Sequence, residues 1–265
     1  VIDHGSDLFG KSNRLMNGFP LLIKILDLDQ LASLQVHPDE AYVQQHPGAF
    51  LKSEAWYILE ARPDAVIYKG VRPGVTPPEF ESVVRAGNVG AVVSLLNREA
   101  VRPGDCHYVP GGTLHAMGGG VLALEIQTPS DTTFRLFDWG RTGREMHVRQ
   151  AMQCLSFEPC MPADPGPLRA SGSHAAQQLA ACRHFRVMRR HYRPGCIVCE
   201  CSSSMVVWFV LEGCGQAWLS GGSGETSFRR GEMLLIPHPG SFDIAARFDE
   251  VTTLLEITIP TQDQD

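Results

Sequence analysis

The chain has 265 residues, of which 43% are hydrophobic and 20% are charged, and its net charge is −6 at pH 7. This composition is typical of a globular protein with an ample core and excludes a disordered chain. The absence of a basic run argues against a nucleic-acid partner, and no apolar stretch approaches the roughly 20 residues that a membrane span requires.

Short β-type runs separated by glycine and proline fill most of the first half of the chain. Thr76-Pro77-Pro78-Glu79 is typical of a helix start, and residues 88–96 have the spacing of a second short helix. We therefore predict a helical insertion over about 76–99 within a β module that covers residues 1–158. The strands predicted in this module are 20–25, 33–36, 54–60, 65–68, 105–109, 121–127 and 132–137.

The second half begins with a segment rich in Pro, Gly, Ala and Ser, which predicts a linker with a short helix over residues 159–182. A second β module is predicted for residues 183–265, with strands at 185–191, 197–202, 206–212, 215–219, 232–236 and 252–259. Gly104-(x)5-Pro110 in the first module has a counterpart in Gly231-(x)5-Pro237, but Asp243 stands where the pattern would place a second histidine. The sequence thus predicts an all-β protein with a duplicated barrel, in which only the first copy keeps metal ligands.

Three segments of the first module carry the candidate ligands: Gln35-Val36-His37, Lys52-Ser53-Glu54 and Pro110-Gly111-Gly112-Thr113-Leu114-His115. Residues i and i+2 of a strand face the same way, so the side chains of Gln35 and His37 can point toward the same position. Two imidazoles, one carboxylate and one amide oxygen would leave a divalent ion with residual charge and room for substrate oxygens. Such ligands suit zinc, with iron, manganese or cobalt as alternatives.

The eight cysteines are scattered along the chain and lack the density of a secreted disulfide scaffold. Cys196-Ile-Val-Cys199-Glu-Cys201 has metal-ligand spacing, but it lies in an apolar β context without a second Cys-x-x-Cys pair. We expect reduced, buried thiols and a cytoplasmic location.

Five segments in order, spanning roughly residues 10–155, resemble bacterial mannose-6-phosphate isomerases: Pro20-Leu-Leu-Ile-Lys-Ile-Leu-Asp27, Gln35-Val-His-Pro-Asp39, Lys52-Ser-Glu-Ala-Trp-Tyr57, Val109-Pro-Gly-Gly-Thr-Leu-His-Ala116 and Leu124-Glu-Ile-Gln-Thr-Pro-Ser-Asp-Thr-Thr-Phe-Arg135. Only nineteen residues precede the first of them, fewer than family members normally carry. The resemblance implies two cupin-like barrel or jelly-roll modules and one zinc ion. The implied metal ligands are Gln35, His37, Glu54 and His115.

The resemblance also implies the interconversion of mannose 6-phosphate and fructose 6-phosphate through a cis-enediol. Arg135 matches the family's active-site arginine, and Lys52 matches a lysine of the sugar-phosphate pocket. Glu125 and Asp131 are the other carboxylates of the matching stretch, and either could be the base. A phosphorylated sugar is thus the implied partner, and the oligomeric state is left open.

Two other functions remain open from the sequence. His37, Glu54 and His115 would serve an iron-dependent cupin oxygenase as a two-His-one-carboxylate site. A non-catalytic cupin that binds sugar phosphates would keep the same pocket. Structural alternatives also exist for two basic residues: Arg135 could pair with Asp131 or Asp138, and Lys52 could be a solvated surface lysine.

Overall fold

The structure is a computed structural model that describes residues 8–9, 18–160, 165–200, 204–220, 224–238 and 244–260. The chain divides into two compact units, the first covering Leu21–Ala163 and the second covering Val1–Pro20 with Asp164–Asp265. Antiparallel strands are the main regular structure of the described residues in both units. In the described part of the chain, no helix has the length and apolar character that a membrane crossing requires.

The described residues of the first unit form two antiparallel sheets and four short helices. The four-stranded sheet has the order β1-β8-β3-β6, and the five-stranded sheet has the order β5-β4-β7-β2-β9. The strands are β1 (Leu22–Leu28), β2 (Leu34–Val36), β3 (Glu54–Ala61), β4 (Val66–Val71), β5 (Leu96–Ala100), β6 (Cys106–Val109), β7 (His115–Met117), β8 (Val121–Gln127) and β9 (Phe134–Phe137). The helices are α1 (Glu40–Gln45), α2 (Pro77–Ala86), α3 (Val89–Ser94) and α4 (Val148–Cys154).

A buried apolar cluster joins these two sheets. Trp56 and Ile58 of β3 and Ala123 of β8 pack with Ile67 of β4 and Met117 of β7. Burial of such side chains stabilises a fold by about 25 cal/mol per Å² of apolar surface. The sheets therefore pack face to face, with the inner face of each available to build a site.

The second unit also consists of two antiparallel sheets, with the orders β10-β11-β12-β19-β14-β17 and β13-β18-β15-β16. Its core includes Tyr192, Trp208, Phe228 and Phe248. The strands are β10 (Arg169–Ser171), β11 (His174–Ala181), β12 (Arg186–Tyr192), β13 (Ile197–Glu200), β14 (Val206–Glu212), β15 (Cys214–Leu219), β16 (Glu225–Arg229), β17 (Met233–Ile236), β18 (Ile244–Phe248) and β19 (Thr252–Thr258).

The two units repeat one strand order. The order β1-β8-β3-β6 corresponds to β12-β19-β14-β17, and β5-β4-β7-β2 corresponds to β16-β15-β18-β13. Even the irregularities coincide, because the bulge between Ile58 and Glu60 in β3 has its counterpart between Val210 and Glu212 in β14. The Gly104 and Gly231 patterns precede the equivalent strands β6 and β17. Asp243, which stands where the pattern would place a second histidine, lies outside the described residues.

The structure differs from the sequence predictions in several elements. No sheet closes on itself among the described residues, so each unit is a pair of sheets and the predicted barrels are not confirmed. The prediction of a linker and short helix at 159–182 is wrong in its described part, because β10 and β11 occupy it. The Ala-rich strand His174–Ala181 has good helix propensity, but pairing along β12 outweighs that weak local preference. Residues 161–164 and 201–203 lie outside the described part of the chain.

The predicted helical insertion is confirmed for α2 and α3, although Leu96 begins strand β5 rather than ending a helix. The seven described cysteines are free thiols. Only Cys106, Cys154 and Cys196 of them are buried as predicted; Cys199 is exposed, and the others are half-buried. The elements missed from the sequence are β5, β7, β10, β11, β16, β18, α1 and α4.

Candidate metal centre

The glycine turn before β7 brings the three candidate segments into contact. The Gly112 N–H donates to the His37 carbonyl at 2.8 Å, and the Gly111 N–H donates to Ser53 Oγ at 3.1 Å. A Cβ on residue 111 would lie 2.6 Å from the backbone oxygen of Pro38, so only glycine allows this approach. Gly112 has a φ of +82°, which turns the chain toward β7. The turn thus fixes where His115 lies relative to the other two segments.

His37, Glu54 and His115 form a buried cluster that could hold a metal ion. One potential ligand atom from each lies within 4.8 Å of the others. Nε2 of His37 is 3.4 Å from Glu54 Oε2, and Nε2 of His115 is 3.3 Å from Glu54 Oε1. All three side chains are at most 2% exposed. Among the described residues, no other group of three His, Cys, Asp or Glu side chains converges in this way.

Hydrogen bonds to backbone carbonyls fix the tautomers of both histidines. Nδ1 of His37 donates to the Thr132 carbonyl at 3.0 Å, and Nδ1 of His115 donates to the Thr113 carbonyl at 2.9 Å. A carbonyl can only accept, so each neutral ring carries its lone pair on Nε2, which faces Glu54. This orientation is the one that metal-binding histidines adopt.

Buried atoms of the cluster have few donors. His37 Nε2 and Glu54 Oε1 have no hydrogen-bond partner among the described residues, and the only possible donor to Glu54 Oε2 is the Lys52 ammonium at 3.0 Å. Lone pairs that face one another in a buried space are costly unless a donor or a cation lies between them. The donor set therefore fits a divalent cation.

Charges in the cluster favour an ionised Glu54 and a neutral His115. Burial tends to raise the pKa of Glu54, but nearby His37, His115 and Lys52 outweigh it and hold the pKa well below its usual range. Burial lowers the pKa of His115 to about 3. Lys52 Nζ lies 3.0 Å from Glu54 Oε2 and its side chain is 7% exposed, which excludes a solvated surface lysine.

Gln35 joins the cluster through its amide. Its Nε2 lies 3.3 Å from His115 Nε2, while its Oε1 accepts from Ser33 Oγ at 3.3 Å. Gln35 is paired with His115 on one side and with Arg135 on the other, so these side chains share one face of the five-stranded sheet. The amide must rotate about its terminal torsion before Oε1 can act as a ligand.

Arg135 is not ion-paired with Asp131 or Asp138, which were the structural alternatives. Its Nε donates to Ser33 Oγ at 3.2 Å and its Nη1 donates to the Glu145 carbonyl at 2.9 Å. Both partners are neutral, so the guanidinium keeps its full positive charge beside Gln35. Asp138 instead accepts from Arg141 and Arg144.

Of the two candidate bases, Glu125 lies on the site face and Asp131 does not. Glu125 is opposite Trp56 and Glu54 is opposite Gln127 in neighbouring strands, so both carboxylates point to the same face of the four-stranded sheet. Glu125 is buried, whereas Asp131 is exposed.

Lys24 was missed in the sequence analysis. Its Nζ donates to Glu125 Oε1 at 2.9 Å and to Gln127 Oε1 at 2.6 Å, from the position directly opposite Glu125. A lone lysine in an apolar strand gives no local signal, and only the pairing of β1 with β8 exposes its role.

The known proteins that are similar to this chain belong to one family. No protein-family model matches the chain. The mannose-6-phosphate isomerase ManA of Bacillus subtilis is 34% identical over 248 residues, which cover 89% of this chain and 74% of that protein. The mannose-6-phosphate isomerase of Streptococcus mutans is 32% identical over 237 residues, with 88% and 72% covered.

Solved structures give the same result. The crystal structure of the mannose 6-phosphate isomerase from Bacillus subtilis matches with a TM-score of 0.81 and 27% identity, covering 97% of this chain and 80% of that chain. A mutant phosphomannose isomerase from Salmonella typhimurium matches with a TM-score of 0.75 at 16% identity, which is a likeness of fold alone. The identity to the curated relatives, over most of both chains, decides the assignment: the chain belongs to the mannose-6-phosphate isomerase family.

Proposed function

We propose that this protein interconverts mannose 6-phosphate and fructose 6-phosphate with the help of one bound divalent metal ion. The observation that carries the proposal is the buried cluster of His37, Glu54 and His115, in which Glu54 shares a sheet face with Glu125. Membership of the isomerase family supplies the substrate class.

His37, Glu54 and His115 would hold the metal, with Gln35 as a fourth ligand after its amide rotates. Nitrogen and oxygen donors of this kind suit zinc. A divalent ion held there would supply Lewis-acid stabilisation for negative charge on a substrate oxygen. Because Glu54 would be engaged by the metal, another carboxylate has to move the proton.

Glu125 is the residue that we assign as general base. It would take the proton from C2 of the aldose or C1 of the ketose and return it to the neighbouring carbon, so that a cis-enediol forms and collapses. Lys24, 2.9 Å from Glu125 Oε1, orients the carboxylate. Asp131 is the weaker candidate because it is exposed.

Two cations complete the proposed site. Arg135 carries a charge without a carboxylate partner among the described residues, and its fork geometry suits an enediolate or phosphate oxygen. Lys52 holds Glu54 in place at 3.0 Å and offers a second positive charge close to the metal ligands. Its direct part would be to stabilise the same developing negative charge.

A metal-exchange experiment tests this function against both alternatives. The metal is stripped with a chelator, zinc is restored without oxygen, and fructose 6-phosphate conversion is followed. We expect isomerisation to return with zinc alone. Activity that requires iron and oxygen would instead indicate an oxygenase, and tight sugar-phosphate binding without turnover would indicate a non-catalytic protein.

Three finer assignments belong to the same proposal. The paired sheets of each unit support two cupin-like jelly rolls. The division into a catalytic module at 1–158 and a second module at 183–265 is kept as a functional proposal, and β10 and β11 within 159–182 extend the second unit. A cytoplasmic location is supported by the free thiols of the described cysteines.

A further inference from the structure

We propose that Arg141 and Arg144 bind the phosphate group of the sugar substrate. The inference rests on the proposed function for the identity of the sugar, while the anion site itself can be tested without turnover. Its basis is the position of the two guanidinium groups in a cavity next to the metal cluster.

The cavity has a volume of about 490 Å³ and is lined by two segments of the first unit. One segment runs from Asp27 to Gln35, and the other supplies Arg135, Arg141 and Arg144. Gln35 also contacts His115 of the metal cluster at 3.3 Å. The cavity therefore extends from Gln35, whose amide contacts the metal cluster, to the arginines.

The arginine segment carries more positive charge than its own partner neutralises. Asp138, which is 4% exposed, accepts from Arg141 Nη2 at 2.7 Å and from Arg144 Nε at 2.8 Å, and also from Arg144 Nη2. One carboxylate thus serves two guanidinium groups. Arg135 adds a third positive charge to the same cavity, with only neutral partners.

These contacts also leave donors free for a ligand. A guanidinium has five N–H donors, and Asp138 occupies only part of those on Arg141 and Arg144. Two guanidinium groups held side by side by one buried carboxylate match the bidentate geometry of a phosphate. Asp27 and Asp29, from the other lining segment, would repel phosphate but can accept hydrogen bonds from sugar hydroxyls.

The turn that presents the arginines is held in a costly backbone conformation. Trp139 has a φ of +58° and is the only non-glycine residue with positive φ among the described residues. Its Nε1 donates to the Ala32 carbonyl at 2.6 Å, and its ring packs edge-on against Phe137 at 5.4 Å. Left-handed backbone at a bulky residue costs about 1–3 kcal/mol and tends to occur at functional sites. Here the turn, followed by Gly140, returns the chain so that both arginines reach Asp138.

The test compares the variant R141Q/R144Q with wild type and with R85Q, whose arginine pairs with Glu81 on the exposed surface of α2. Inorganic phosphate is the probe in calorimetry on metal-loaded protein, and the KM for mannose 6-phosphate is measured in parallel. We expect the double variant to bind phosphate at least about 10-fold more weakly and to show a KM raised about 10- to 100-fold. R85Q should remain within about twofold of wild type in both measurements, as a surface pair predicts.

The outcomes separate this inference from the proposed function. Unchanged phosphate affinity and KM in R141Q/R144Q would overturn the inference. If wild type binds phosphate but shows no isomerisation, and the double variant binds phosphate more weakly, the anion site stands and the isomerase proposal fails. If R141Q/R144Q does not fold, R141K/R144K replaces it, because it keeps both positive charges beside Asp138 but lacks the fork geometry of the guanidinium groups. Its KM for mannose 6-phosphate should be raised several-fold. An unchanged KM again overturns the inference.

Discussion

At the scale of single residues, the site is defined by lone pairs that face one another. The carbonyls of Thr132 and Thr113 fix which nitrogen of each histidine carries the proton, and both free nitrogens lie within 3.4 Å of Glu54. Such an arrangement is unfavourable without a cation, which ties the stability of this region to metal and to pH.

The metal-free protein should lose stability in acid. The pKa of His115 is lowered to about 3 in the folded state, so the unfolded chain takes up a proton near pH 6.5 that the folded protein does not. The free energy of unfolding should therefore fall as pH decreases from 6.5 toward 3, by about 1.4 kcal/mol per pH unit. The lowered pKa of Glu54 adds to this loss below pH 4.5.

Urea unfolding at a series of pH values measures this slope. The variant His115→Asn, which removes the titrating ring, should show a flatter dependence above the range where Glu54 titrates. A slope that is the same in wild type and variant would contradict the role given to His115.

Replacing Glu125, the proposed base, should lower turnover greatly without removing metal. Glu125→Gln keeps the shape and the contact with Lys24 but cannot accept a proton, so kcat should fall by about 10²- to 10⁴-fold. Glu256 provides a matched control because it occupies the equivalent register position, opposite Trp208 as Glu125 is opposite Trp56. Glu256→Gln should keep kcat within about twofold of wild type. Retained turnover in Glu125→Gln would move the base elsewhere, with Asp131→Asn as the next variant.

At the scale of elements, strand ends and one turn position the ligands. Gln35 and His115 lie on neighbouring strands β2 and β7, while Glu54 begins β3 in the other sheet of the first unit. The glycine turn between β6 and β7 contacts both of the other ligand segments. Its close packing makes the site sensitive to a single methyl group.

The variant Gly111→Ala tests this packing. The added Cβ would meet the Pro38 oxygen at 2.6 Å and the Asp39 Cα at 2.8 Å, and both are backbone atoms that cannot swing away. We expect a loss of about 1–3 kcal/mol in the free energy of unfolding and weaker metal binding, because Pro38 adjoins His37. Gly90→Ala in α3 is the control, since its nearest neighbour is a side-chain oxygen at 3.5 Å and alanine favours a helix. Equal effects of the two variants would contradict the packing argument.

At the scale of the whole molecule, a bound ion would link the two sheets of the first unit and leave the second unit without a comparable link. Ligands come from β2 and β7 in one sheet and from β3 in the other. A ligand that binds only the folded state stabilises that state in proportion to its affinity and concentration.

Hydrogen exchange before and after chelation should therefore change unevenly along the chain. We expect amides of β2, β3 and β7 to lose protection when metal is removed, and amides of β12, β14 and β19 to change little. Mass spectrometry of proteolytic fragments resolves these regions. An equal loss of protection in both units would contradict a metal site confined to the first.

The sequence predicted strands and motifs better than it predicted how they meet. Alternating apolar residues located most strands of the first unit, and the capping pattern at Thr76 located α2. The strand His174–Ala181 was missed because its alanines favour a helix until β12 pairs with it. Lys24 was missed for a related reason. Its partner Glu125 is 101 residues away in the sequence, and only the register between their strands brings the two side chains together. Long-range pairing is thus the information that local patterns lacked.

The shared register of the two units gives Glu54 a counterpart. Glu54 lies opposite Gln127 and Val109, and Val206 lies opposite Thr258 and Ile236 at the same place in the second unit. One topological position therefore carries a buried carboxylate in one half of the chain and a buried valine in the other. An apolar residue fills this position in the second unit, so the fold itself does not require an acid at position 54. Within a single molecule, the described part of the second unit shows the same strand register with an apolar residue in place of the acid.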